Sequence, residues 1–192
     1  MNASPRGDEA GPWGRIHRAL GGRRFVVLDT ETTGLREPEA VSVAVVDDNG
    51  RVLLDERVRP GKPIEPDASR LTGITMETVA DCPAFPAIYP ALLHAISGVR
   101  VVIYNASYDI KVIANSCRRY GLLAPEIDAW CAMEWFAEVY GAWDPGRQAY
   151  RWQRLSTAAA HFGVSHARAH SAVSDCLATL GVVRAGLASP PR

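Results

Sequence analysis

Residues 28–34 read Leu28-Asp29-Thr30-Glu31-Thr32-Thr33-Gly34. The stretch closes the apolar run Phe25-Val26-Val27-Leu28, which predicts a buried strand. Its two acids stand two residues apart, and on a strand that spacing turns both side chains to one face. Two carboxylates side by side at the end of a buried strand repel each other and lose hydration. A divalent cation removes both penalties, so the stretch reads as half of a metal site.

Outward from this strand, Val41–Asp47 and Val52–Arg59 predict two more. Asp48-Asn49-Gly50 between them is a hairpin signal, and Asp47-Asp48 reads as turn chemistry. The first three strands are therefore antiparallel. A Pro-rich linker follows, with short helical pieces near Asp67–Leu71 and Thr75–Val79, then a helix over about Ala84–Ser97. Val99–Tyr104 predicts a fourth strand, Tyr108–Tyr120 a helix, and Ile127–Asp128 a short fifth strand. Ala129–Tyr140 and Gln153–Phe162 predict further helices, with a loop through Trp143–Trp152 between them. In the last helix, from about Ala172, Val173, Cys176, Leu177, Leu180 and Val183 recur at three- and four-residue steps. Strands first, then strands alternating with helices, give an α/β fold: a mixed sheet, three antiparallel strands then parallel ones, flanked by helices.

The 192 residues suffice for one domain, expected over 23–188. Residues 1–22, rich in Gly, Pro and Arg, are expected to form a flexible leader with at most a helical turn at Ile16–Leu20, and 189–192 a short tail. Lys+Arg and Asp+Glu are both 21, so a general electrostatic hold on duplex nucleic acid is excluded. Any polyanion must be held by a local patch or by metal ions. Cys82, Cys117, Cys131 and Cys176 are dispersed among apolar neighbours, as suits reduced thiols in a cytoplasm. No secretory signal or membrane-length apolar run is visible, so no membrane partner is expected.

Two further segments carry candidate chemistry. Asn105-Ala106-Ser107-Tyr108-Asp109 lies where the fourth strand gives way to a helix, with Ser107 a candidate N-cap and Asp109 in the first turn. An isolated acid there would merely complement the helix dipole. Its meaning changes if it shares a sheet edge with Asp29 and Glu31, because α/β sites gather at the carboxyl ends of strands. His170-Ser171-Ala172-Val173-Ser174-Asp175 opens the last helix. Five residues on one helix diverge by about 140°. With Ser171 as cap, however, His170 sits in the preceding loop and both side chains can converge. A loop His titrates near neutrality and is the usual general base. His166 and His170 have the i,i+4 spacing of a zinc helix, but Gly163-Val164-Ser165 argues loop and no further ligand is suitably spaced.

Taken together, Asp29-x-Glu31-Thr-Thr-Gly, Asn-Ala-x-Tyr-Asp109 and His170-x4-Asp175 resemble the three motifs of the DEDDh 3′–5′ exonucleases. That family includes the epsilon proofreading subunit of bacterial DNA polymerase III and ribonuclease T. The resemblance runs from about Arg24 to Leu187. Leu71-Thr72-Gly73-Ile74 and Trp152-Gln153-x-Leu155 add secondary echoes. It implies a ribonuclease-H-like fold and two divalent cations, Mg²⁺ or Mn²⁺, held by Asp29, Glu31, Asp109 and Asp175, with His170 as general base. All-carboxylate ligation suits hard cations. It further implies that backbone around Thr32 and Thr33 meets the terminal 3′-OH, that Leu35 wedges against the last base, and that Asn105 and Tyr108 line the substrate. Arg147 and Arg151 are candidate phosphate contacts, in a loop whose aromatics can stack on bases. Tyr104 and Tyr108 depart from the His and Phe that relatives often carry there.

The expected activity is release of nucleoside 5′-monophosphates from DNA 3′ ends, mainly single-stranded. The alternatives are an exoribonuclease on short RNA or RNA tails, and a non-catalytic module that binds nucleic-acid ends. The chain ends soon after the last helix, without the tail by which the polymerase-bound proofreader grips its polymerase. A stand-alone monomer or homodimer is expected, with no polymerase partner.

Overall fold

Strand β1 (Phe25–Thr32) organises the chain. The computed structural model describes residues 11–166 and 171–189. Helix α1 (Pro12–Leu20) precedes β1, which pairs antiparallel with β2 (Ala40–Asp47); β2 in turn pairs antiparallel with β3 (Val52–Arg57). Helices α2 (Pro66–Thr72) and α3 (Phe85–Ile96) lead to β4 (Arg100–Ile103), which runs parallel to β1. Helix α4 (Ala106–Arg119) then leads to β5 (Ala129–Cys131), parallel to β4. The order β3-β2-β1-β4-β5 makes one mixed sheet, as the sequence predicts. Helix α5 (Ala132–Tyr140), a two-stranded hairpin of β6 (Trp143–Asp144) and β7 (Ala149–Tyr150), α6 (Leu155–His161) and α7 (Ala172–Ala188) complete the chain.

The central strands are apolar on both faces because helices cover both. Phe25 and Val27 pack with α1, α5, α6 and α7, whereas Val26 and Leu28 pack with α3 and α4. That alternation fixes where the acids go. Asp29 and Glu31 share the face of Val27, toward α7, and Thr30 points to the face of α4.

Four expectations need correction. First, the leader is not free up to Gly22, because α1 buries Ile16 and Leu20 completely. Trp13 stands edge-on to Trp135 at 6.0 Å, and the Trp135 indole donates to Pro12 O at 2.8 Å. A Cβ on Gly186 would come within 2.6 Å of Trp135 and 2.7 Å of Ile16, so a bare glycine lets α7 approach them. Second, the fifth strand lies at Ala129–Cys131 rather than Ile127–Asp128, and the following helix is shortened to match. Third, Thr75–Val79 forms turns rather than helix. Fourth, the stretch between α5 and α6 contains a hairpin rather than loop alone. Among the described residues, no helix is long and apolar enough to cross a membrane.

Candidate active site

Asp29, Glu31 and Asp175 come together at the carboxyl end of β1. Each offers a ligand oxygen, and these atoms lie within 4.8 Å of one another. Strand period explains the first two. Ser171 stands at the N-cap position of α7, as predicted, without a side-chain capping bond, and the Asp175 N–H donates to Ser171 O at 2.9 Å. Helix α7 lies on the sheet face that Asp29 and Glu31 share, so its first turn presents Asp175 to them.

Asp109 adjoins this trio without joining it. Helix α4 covers the opposite face, where Asp109 meets Thr30. Its Oδ1 accepts from Thr30 N at 3.0 Å and Thr30 Oγ1 at 2.7 Å. The predicted cap moves too. Asn105, in the left-handed region at φ 72°, turns the chain from β4 into α4, and Ser107 is already inside the helix. Asn tolerates that conformation better than other non-glycine residues.

The electrostatics follow from this crowding. Burial first, and then the charges of Asp109, Asp175 and Glu31, hold the Asp29 carboxyl well above its usual range. Burial and the charges of Asp175 and Asp109 lift Glu31 to about 7. Burial lifts Asp109 to about 7 against the opposing pull of its Thr30 bonds. A cluster of like charges that resists ionisation is what a hard cation relieves. Oxygen donors at this spacing, two of them with no hydrogen-bond donor among the described residues, fit divalent metal.

Two cavities flank the acids. One of about 410 Å³ beside Glu31 is lined by Thr32, Gly34, Leu35, Leu71, Asn105 and Tyr108. The other, of about 650 Å³ beside Asp175, is lined by Leu71, Tyr104, Asn105, Trp152, Arg154 and His166. Leu71 and Asn105 stand in both. Leu35 is 77% exposed at the rim of the first. The turn below it is held from several sides. The Tyr108 hydroxyl donates to Gly34 O at 2.9 Å and lies 3.0 Å from Thr32 Oγ1, while Glu65 N donates to Thr33 O at 2.7 Å. Gly34 (φ 144°) lies under the Glu65 carboxyl, which a Cβ there would strike at 2.1 Å.

Several expected contacts are placed differently. Thr33 is fully buried, its N–H donates to Glu39 O at 2.9 Å, and its hydroxyl accepts from Glu39 N at 3.1 Å. It therefore holds the turn and has no amide left for a substrate hydroxyl. Arg147 and Arg151 belong to the β6–β7 hairpin, and Arg151 is drawn to Asp144 at 3.3 Å. Trp152 and Arg154, just beyond, line the cavity instead. Tyr104, where relatives often carry His, donates its hydroxyl to Gln153 O at 2.9 Å and so anchors that segment. His170 lies outside the described residues. His166, which the sequence offers only as half of a zinc pairing, has its Nε2 2.6 Å from Asp175 Oδ1.

The RNase_T exonuclease family model matches residues 26–183. An uncharacterised exonuclease of Escherichia phage 186 is 39% identical over 172 residues, covering 83% of this chain and 86% of that protein. The DNA polymerase III epsilon subunit of Pasteurella multocida is 30% identical over 110 residues, 52% of this chain and 44% of that one. Among solved structures, exonuclease X in complex with 5′ overhanging duplex DNA superposes with a TM-score of 0.61 at 24% identity, covering 84% of this chain and 90% of that one. The nuclease domain of 3′hExo, a DEDDh family member bound to rAMP, gives 0.63 at 17%, covering 84% and 90%. At these identities the superpositions speak for the shared fold.

Proposed function

Because this chain belongs to the RNase_T family of DEDDh-type exonucleases, we propose that it removes nucleoside 5′-monophosphates from the 3′ end of single-stranded or frayed DNA. The observation that carries this reading is the convergence of the Asp29, Glu31 and Asp175 oxygens at one strand end. These three, with Asp109, would hold two divalent cations, Mg²⁺ or Mn²⁺. Bound there, the cations would supply charge neutralisation at the scissile phosphate and at the leaving oxygen.

The rest of the work falls to the chain. Asp29 and Glu31 are fixed by strand backbone, so the bond to be cut is presented at a rigid edge. Leu35 and the Thr32–Gly34 turn, braced by Tyr108, position the terminal nucleotide. Asn105 and Leu71 bound the space on either side of the acids. His170 takes the proton of the attacking water; the new P–O bond forms as the bond to the 3′ oxygen breaks. That oxygen takes a proton from solvent water and departs as the 3′-OH of the shortened strand.

Matched DNA and RNA oligomers, labelled at either end, test the reading with Mg²⁺ or Mn²⁺ and with EDTA. The expected result is mononucleotide release from the 3′ end of DNA, abolished by EDTA and by Asp29→Asn. Faster digestion of RNA would move the substrate to the alternative class. Equal inertness of wild type and variant, with both binding DNA, would make the protein a binding module.

A further inference from the structure

We propose that His166 is a positioning residue for Asp175, fixing one carboxylate oxygen so that the other is presented to the metal site. The inference rests on the metal-binding reading above and adds a residue that the three family motifs do not contain.

The Nε2–Oδ1 separation of 2.6 Å is that of a short hydrogen bond. With Asp175 ionised, as metal ligation requires, the carboxylate only accepts and the Nε2–H tautomer of the ring is the donor. Both side chains are well covered, at 10% and 15% exposure, so water competes weakly for the bond. His166 is not one of the residues whose ligand atoms cluster, which are Asp29, Glu31 and Asp175. It therefore approaches Asp175 from outside the cage. A carboxylate has two oxygens and about four lone-pair sites, so one bond to His166 leaves ligating capacity free.

Asp109 shows the same arrangement. The two acids that reach the site from helices each carry a donor on Oδ1: Thr30 on Asp109 and His166 on Asp175. Asp29 and Glu31, already fixed by the strand, receive no side-chain donor among the described residues. An acid that reaches the site from a separate helix depends on tertiary contacts for its aim, whereas the strand period already places Asp29 and Glu31 side by side. A donor behind it fixes that aim before a cation arrives. Such outer contacts typically change metal affinity by about 10–100-fold.

The test uses the full chain and Mn²⁺, with free Mn²⁺ followed by electron paramagnetic resonance. His166→Ala should weaken Mn²⁺ binding by about 10–100-fold. His166→Gln, which places an N–H at similar reach, should restore most of it, with the melting temperature in EDTA as the check on folding. Mn²⁺ affinity in His166→Ala equal to or above wild type overturns the inference, because the contact would then be a stand-in for the cation. If the alanine protein does not fold, the wild-type imidazole ¹⁵N spectrum decides. The His166 N–H should stay hydrogen-bonded at saturating Mg²⁺, and its release overturns the inference. Wild type that binds no Mn²⁺ at all would sink the metal reading and this inference together.

Discussion

Glu31, on β1, and Glu39, just ahead of β2, are buried to nearly the same degree, 8% and 7% exposed, yet their surroundings are opposite. Glu39 accepts from Gly61 N at 2.7 Å and lies 3.9 Å from the Arg119 guanidinium. Glu31 faces Asp29 and Asp175 and is pushed up to about 7. The first acid is satisfied by the fold and the second waits for something the fold does not supply. Burial alone does not mark a functional acid; a largely buried acid that opens onto a cavity beside further acids, with no side-chain donor of its own among the described residues, does.

The largest test of this contrast is isosteric. Asp29→Asn should lower nuclease activity by about 10³-fold or more, since it removes a ligand where charge must be held. It should leave the metal-free protein at pH 8 as stable as wild type or more so, because one of several repelling charges is gone. Glu39→Ala should do the reverse. It strands the Gly61 N–H and the Arg119 charge, costing about 2 kcal/mol in urea unfolding, with activity within a few-fold of wild type.

The contrast also explains what could be read from the sequence. Period two in β1 puts Asp29 and Glu31 on one face, and a helix starting after Ser171 brings Asp175 to them. Both are local readings; the helix starts where expected although the Ser171 hydroxyl makes no capping bond. The remaining features depend on contacts across the fold. Helix α1 was hidden because its Gly, Pro and Arg neighbours dilute Trp13, Ile16 and Leu20, whose burial depends on Trp135 and Gly186 far along the chain. Asp109 sits apart from the trio because Thr30, on the opposite face of β1, holds it. Likewise, His166 gains meaning only from its contact with Asp175 in the folded chain.

A pH series sharpens the comparison next. Glu31 and Asp109 titrate near 7 when folded, against ordinary values of 4.5 and 3.8. The folded protein therefore binds these protons more tightly than the unfolded chain does. The stability they contribute is fully present below about pH 4 and lost as pH rises through 7. The melting temperature in EDTA should fall from pH 5 to pH 8, and Mg²⁺ or Mn²⁺ should raise it most at pH 8. A rising metal-free profile over that window would contradict the crowding and burial that hold these two acids up.

The smallest expected effect is at the turn. Tyr108→Phe removes only the hydroxyl that bonds Gly34 O, at a cost of about 1 kcal/mol. KM for a single-stranded oligomer should rise a few-fold with kcat nearly unchanged, because the turn positions substrate and the acids are untouched. An equal fall in kcat with unchanged KM would move Tyr108 into the chemistry itself.

The most direct measurement is a crystal of the protein soaked in Mn²⁺ and read by anomalous scattering. The account predicts manganese density within ligating distance of Asp29, Glu31 and Asp175, while Glu39 stays on Gly61 and Arg119 with none beside it. Saturating Mn²⁺ with no density among those three carboxylates would contradict it.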